Sequence, residues 1–427
     1  MARIFGLGAA LLGAWPVFAQ QDATGGEVRP ADLALRGAVA KAVRPPFDAV
    51  YEALQRTVRF RQVALSPKGR HVAWVESGSA EAGPKTGGSI LQVLDLSEPD
   101  AKPFRITVCL GPHACNEGSL AWSPDGERLA FLSDAGLGGQ GQLYVASISD
   151  GPARKLTSFK GPLSSPRWSP DGDSVAVLVI EGEGAEHAKG PTGPAARETG
   201  VVQESHPVRR VAVVSVDDGS HRVVSPEGLF VYEYAWSPDS EQLAITAAPP
   251  PGDANWWVAK LHAVEAKSGR TRLLYTPKWQ MAEPTWSPDG KHLAVIEGLM
   301  SDQGSNGGDV MAVPAAGGKA RNLTPGLKAT ATSLDWVAPG KLVFGAQVQG
   351  ESALAAVDPV KGGVTVLWKG PERVSTGGGV DVSLSRDGMT SAVLRDSFSR
   401  APDVWVGPVG EWKQVTRHNA QVQAPAG

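Results

Sequence analysis

Two cysteines, Cys109 and Cys115, are all that 427 residues contain, so no disulfide framework shapes this chain. They flank five residues in the loop Cys109-Leu-Gly-Pro-His113-Ala-Cys115. In an oxidising compartment they would close a small disulfide; otherwise they stay two free thiols. A zinc site lacks support, because the two thiols and His113 still need a fourth ligand and the short cysteine spacing of zinc motifs. No metal and no cofactor is expected. Charge of one sign is missing too: 41 Lys and Arg face 44 Asp and Glu, with no basic run, which excludes the footprint of a nucleic-acid or anionic-membrane partner. No apolar stretch of membrane length follows the N-terminal segment. There is no Gly-x-Ser-x-Gly to form a nucleophile elbow, and no alternation of strands and helices to carry one. None of the eight histidines falls in His-Glu-x-x-His, and no glycine-rich phosphate loop follows a predicted strand. The chain is therefore expected to carry no catalytic residues of its own.

What is present starts with a leader. Arg3, the glycine-broken apolar run Ile4 to Phe18, and small residues at Val17 and Ala19 form a signal-peptide pattern, with cleavage expected after Ala19. The run is shorter than the roughly 20 apolar residues of a membrane span. The mature protein is thus expected in the periplasm or secreted, off the membrane. Beyond it, 51 glycines and 33 prolines punctuate a chain that is still 42% hydrophobic, the composition of many turns around a real core.

One phrase recurs: Trp122-Ser-Pro-Asp-Gly126, Trp168-Ser-Pro-Asp-Gly172, Trp236-Ser-Pro-Asp-Ser240 and Trp286-Ser-Pro-Asp-Gly290. Degenerate copies at Leu65-Ser-Pro-Lys-Gly69, Trp336-Val-Ala-Pro-Gly340 and Leu384-Ser-Arg-Asp-Gly388 bring the series to seven, at the spacing of propeller blades. Proline presets φ, aspartate bonds its own backbone and glycine accepts positive φ, so each copy is a tight turn. Period-two segments such as Leu129-Ala-Phe-Leu132 leave each turn as strands, and two further strands follow before the next copy. The expected fold is all-β, a seven-bladed β-propeller of four-stranded antiparallel blades over residues 59–418. The last unit, Val380 to Thr416, holds all four of its strands, so the ring closes without a strand swapped from the other terminus. Residues 20–58 read as short amphipathic helices separated by Pro45-Pro46, and residues 419–427 as a tail.

Blade phase then assigns a face. Turns between first and second strands lie on one side. The insertions Gly78 to Ser89, Asp134 to Gly141, Glu181 to Val208, Ala247 to Trp257 and Gly298 to Asp309 all join second to third strands, and so converge on the other. Long loops on a rigid scaffold are where function concentrates. The candidate binding residues there are Asn255, Trp256 and Trp257 in one insertion, and Asp302, Gln303, Asn306 and Asp309 in the next. Adjacent tryptophans on an extended chain point opposite ways, so either one packs in the core while the other meets a ligand or partner domain, or both are packing residues. The acidic stretch Glu181 to Glu186 lacks the spacing of a calcium loop and, with His187 and His206, reads as solvated.

Tyr234-Ala-Trp-Ser-Pro-Asp, Asn255-Trp-Trp, Pro284-Thr-Trp-Ser-Pro-Asp-Gly, the Ser301 to Asp309 loop, Asn322-Leu-Thr-Pro325 and the ending Gln414-Val-Thr-Arg-His-Asn419 resemble the propeller half of secreted bacterial dipeptidyl-peptidase-like and acylaminoacyl-peptidase-like members of the prolyl oligopeptidase family of serine peptidases. The resemblance covers residues 60–419. It implies a ring that restricts access of peptide substrates to an α/β-hydrolase domain, expected to begin where the tail stands. No triad residue can be carried over, and no acidic pair matches an amino-terminus clamp. The expected function is a non-catalytic gating and scaffold module of such a peptidase, meeting peptide or a hydrolase domain on the long-loop face. The alternative is a stand-alone periplasmic propeller like TolB that binds a protein partner, although TolB-like chains place an α/β domain ahead of the ring, where only about 40 residues stand here. For a third reading, an enzyme with its site at the centre of the ring, no supporting constellation is visible.

Overall fold

The repeated turn folds as its chemistry dictates. In the second copy Gly126 takes φ 75°, Ser123 Oγ donates to Asp125 Oδ1 at 2.5 Å, and it accepts from Arg128 N at 2.9 Å; Asp125 Oδ1 also accepts from Glu127 N at 3.0 Å. Serine and aspartate thus close the turn from inside, and the same bonds recur at Ser169/Asp171, Ser237/Asp239, Ser287/Asp289 and Ser385/Asp387. Each of these turns joins an innermost strand to the next.

A computed structural model describes residues 48, 51, 57–78, 88–109, 115–135, 140–149, 151–181, 207–420 and 422. They belong to one compact unit, Pro46–Ala424. The expected leader, the insertion segments 79–87, 136–139 and 182–206 with Glu183, Glu186, His187 and His206, and His113 lie outside the described residues. Of the expected helical lead-in only four positions are described, and Asp48 and Tyr51 among them are helical. Among the described residues no helix is long and apolar enough to cross a bilayer.

The strands form seven antiparallel blades, spanning residues 59–106, 117–155, 163–223, 230–275, 280–322, 330–370 and 373–414. Within the first six, sequence order is spatial order, which is the expected architecture. Trp122, Trp168, Trp236 and Trp286 end the innermost strands Glu117–Trp122, Leu163–Trp168, Phe230–Trp236 and Gln280–Trp286. Each indole stitches its blade to the one before: Trp122 Nε1 donates to Ala64 O, Trp168 to Ala121 O, Trp236 to Arg167 O and Trp286 to Ala235 O, at 3.0–3.2 Å. In every case the acceptor directly precedes the equivalent Trp or Leu of the preceding blade. That explains why the repeat keeps tryptophan there, a large apolar residue with one donor to place.

The core is divided among the blade junctions. Seven apolar clusters each bridge adjacent blades, for example Val75 and Leu91 with Leu129 and Phe131, and Val177 and Val214 with Leu143 and Val145. A second strand is therefore covered on both faces, and His71–Ser77 is buried throughout. The seventh cluster joins Val63, Val72 and Trp74 of the first blade to Leu394 and Val404 of the last, so the ring is closed by packing.

The last blade departs from the expected start at Val380. Its innermost strand is split into Arg373–Ser375 and Ser383–Leu384, both pairing with Ser391–Ser397. The residues between turn toward the first blade, where Val63 N donates to Thr376 O at 2.9 Å. Among the described residues no strand is exchanged between the termini. Instead Asn419 Oδ1 accepts from Val58 N, and Asn419 Nδ2 donates to Val58 O, both at 2.9 Å, and to Pro402 O at 2.7 Å.

Candidate functional site

Antiparallel blades fix which connections share a side. The Ser-Pro-Asp-Gly turns occupy one face; the strand ends that open the second-to-third-strand loops and the links between blades lie on the other. On that second face, Asp253–Val258 is a 3-10 helix, not the extended segment expected. The division between the tryptophans holds for a different reason, since consecutive side chains of a 3-10 helix diverge by about 120°. Trp256 is 3% exposed and sits in the core cluster between blades, whereas Trp257 is 45% exposed. Asn255 turns inward to its own loop, donating from Nδ2 to Pro249 O and Pro250 O. Asp302 is exposed. Asp309 lies within the strand Asp309–Pro314 and accepts from Asn322 Nδ2 at 2.6 Å, so it belongs to the blade and not to the loop. Gln303 is half-buried beside them. Val258, Trp279, Leu299 and Phe398 are further exposed apolar residues on connections of this face.

Asn306 leads to what the sequence reading missed. Its Nδ2 donates to Glu283 Oε1 at 2.8 Å, inside a cavity of about 850 Å³ at the centre of the ring. Innermost strands from most blades line it, together with Ser305 and Asn306 of the long loop, and no Ser-Pro-Asp-Gly turn does; the cavity therefore reaches the long-loop face. Glu233, Glu283, Asp335, Asp381 and Arg167 converge there. The centre of the ring thus holds a constellation of ionisable groups where none was expected.

Their placement follows one rule. The residue three before the terminal Trp or Leu of each innermost strand is Gln62, Ser119, Ser165, Glu233, Glu283, Ser333 and Asp381 in turn; the residue just before it includes Arg167 and Asp335. Period two puts both positions on the same side of the strand, toward the axis. A β-bulge falls beside the first of them in six blades. Three, Ser119, Ser165 and Glu283, take φ of 52–56°. Bulges re-aim side chains, and left-handed backbone at non-glycine residues is a strained arrangement that the surrounding sheet must hold.

Four carboxyls facing one cavity cannot all ionise cheaply. Burial, and then the neighbouring Glu233, push Glu283 up to about 8. Burial, and then Asp381, push Asp335 up to about 6. Glu233 and Asp381 are also raised by burial. The side chains keep some surface open to the cavity, but they sit deep in the ring, and it is that depth which governs their titration. Glu233 Oε2 accepts from Glu283 N at 3.1 Å and Thr246 Oγ1 at 3.3 Å, and Asp381 Oδ2 accepts from Thr376 Oγ1 at 2.5 Å. The Asp335 carboxyl has no hydrogen-bond partner among the described residues. The arrangement suits holding a cationic or hydrogen-bond-donating segment of a ligand.

A closed ring of seven four-stranded blades around a polar axial cavity defines a seven-bladed β-propeller. Its fold is similar to that of the propellers in acylaminoacyl peptidase and prolyl endopeptidase structures. By sequence it is similar to the uncharacterized peptidase YuxL of Bacillus subtilis (strain 168), 33% identical over 190 residues, which are 44% of this chain and 23% of that protein. It is also similar to the Tol-Pal system protein TolB of Hydrogenovibrio crunogenus, 31% identical over 105 residues, 25% of this chain and 20% of that protein. By structure it is similar to an acylaminoacyl peptidase in complex with a chloromethyl ketone, with TM-score 0.62 and 13% identity over 86% of this chain and 54% of that one. The propeller domain of the trilobed protease from Pyrococcus furiosus, described as having an open velcro topology, matches with TM-score 0.58 and 12% identity, over 84% of this chain and 99% of that one. The chain spans about half the length of the full peptidase structure and under a quarter of the two sequence relatives. No protein-family profile matches the chain.

Proposed function

We propose that this propeller is the non-catalytic access and scaffold module of a secreted serine peptidase of the prolyl oligopeptidase type, and that a hydrolase domain and its peptide substrate meet it on the long-loop face. The observation that carries this reading is a coincidence of three features on one side of the ring. The exposed Trp257, Val258, Trp279 and Leu299 are there; so is the mouth of the acidic cavity. The chain also enters and leaves the ring there, at Val58 and Asn419, which clamp each other. A domain joined after the last blade would emerge on the side of the ring to which the cavity opens. Export through the N-terminal leader places the molecule outside the cytoplasm.

The rival, a stand-alone propeller that holds a protein partner, draws on the 105-residue match to TolB. Capture of a co-expressed hydrolase domain from a prolyl-oligopeptidase-family peptidase separates the two. The native propeller is expected to retain it, and the variant carrying Trp257→Ala and Asp302→Ala to bind at least about tenfold more weakly, a loss of about 1.4 kcal/mol. Equal capture by both proteins would remove these residues from the interface, and capture by neither would favour the rival.

A further inference from the structure

Cys109 and Cys115 are joined in a disulfide with Cα atoms 6.1 Å apart, one of the two states expected of them. A third group stands against it. Glu117 begins the innermost strand of the second blade and is 1% exposed, and its Oε1 lies 3.5 Å from Cys109 Sγ. The two sulfurs and the carboxylate oxygen are all within 4.8 Å of one another, and among the described residues no other group of three cysteine, histidine or acidic side chains meets that condition.

Glu117 is held as a ligand would be. Oε1 accepts from Val108 N and from Thr107 Oγ1, each at 2.8 Å, which fixes the carboxylate plane; Oε2 is buried with no hydrogen-bond partner. A buried carboxylate oxygen left unpaired is costly and calls for an occupant. Glu117 also borders a cavity of about 430 Å³ with Ser89, Asn116 and Asp134 on the long-loop side.

We propose that these three side chains form a redox-gated site for a thiophilic divalent cation such as zinc. In the oxidised chain the sulfurs are bonded to each other and have no thiolate to offer. A dithiol or phosphine reductant supplies two electrons and breaks the S–S bond, the two sulfurs taking two protons as thiols. The cation then displaces both protons and is held by two thiolates and the Glu117 carboxylate, with water completing four-coordination. Two thiolates at about 2.3 Å from one zinc stand about 3.8 Å apart, a separation that opening the disulfide permits. Glu117 supplies the further ligand missing from the cysteine spacing alone.

The test uses the purified chain, reduced with a phosphine, freed of reductant without air and titrated with cobalt(II) as the probe. Reduced native protein is expected to bind one equivalent with a thiolate-to-cobalt charge-transfer band, and the oxidised protein none. Glu117→Gln is expected to keep the band but bind at least about tenfold more weakly. Cys109→Ser/Cys115→Ser should lose the band while its thermal unfolding shows that the propeller remains folded. No band in the reduced native protein, or equal affinity in Glu117→Gln, would overturn the proposal.

Discussion

Raising the pH from 7 to 9 is expected to destabilise the propeller by about 1–2 kcal/mol, and Glu283→Gln to reduce that loss. The folded-state pKa of Glu283 is pushed to about 8, far above the ordinary carboxylate range, by burial and by Glu233 beside it. A carboxyl raised in this way holds its proton more tightly folded than unfolded. Its contribution is complete below the unfolded value and is lost as pH climbs through the folded one. Asp335, raised to about 6, has made most of its change by pH 7. His71 and His262 are lowered by burial and act in the opposite sense, but below their ordinary value near 6.5 and so outside this window. The turn aspartates Asp125, Asp171, Asp289 and Asp387 are lowered and matter only in acid. Glutamine keeps an oxygen for Asn306 Nδ2 and removes the titration. Urea midpoints at pH 7 and 9 check this: a native midpoint that does not fall, or a variant midpoint that falls as steeply, would contradict it.

Asn419→Ala should cost about 2–4 kcal/mol, because it strips partners from Val58 N, Val58 O and Pro402 O together and leaves buried backbone groups unsatisfied. A ring without an exchanged strand depends on such clamps and on the packing of Val63 and Trp74 against Leu394 and Val404. Urea denaturation followed by tryptophan fluorescence measures the loss. A change below about 0.5 kcal/mol, the range of ordinary surface substitutions, would show that Asn419 is not a closing element.

The ring was legible because its repeat combines two signals of different range. Serine, proline, aspartate and glycine specify a turn locally, and the tryptophan before them reports a junction between blades, so each copy states both its own shape and its neighbour's position. The axial carboxyls were not legible as a group, since Arg167, Glu233, Glu283, Asp335 and Asp381 come from separate blades and form no local motif. They do obey a register, one or three residues before the repeated Trp or Leu, and counting back from each copy would have aligned them. Of the two readings left open for Trp256 and Trp257, the structure shows one buried and one exposed, but in a helical segment and not the extended chain assumed; local conformation there is set by the core pocket that Trp256 fills. Asp309 looked like part of a polar loop because glycines precede it, but ladder pairing with Glu297 draws it into the sheet. Glu117 drew no notice beside the cysteines, because a single carboxylate two positions past Cys115 matches no metal-binding spacing.

That this chain lends shape and charge but no nucleophile is tested most directly by treating the purified 427-residue protein with a fluorophosphonate serine-hydrolase probe. An elbow and a base-paired serine are what such a probe requires, and neither is expected from these residues. No labelling above that of the heat-denatured protein is expected. Reproducible labelling that heat denaturation abolishes would contradict it.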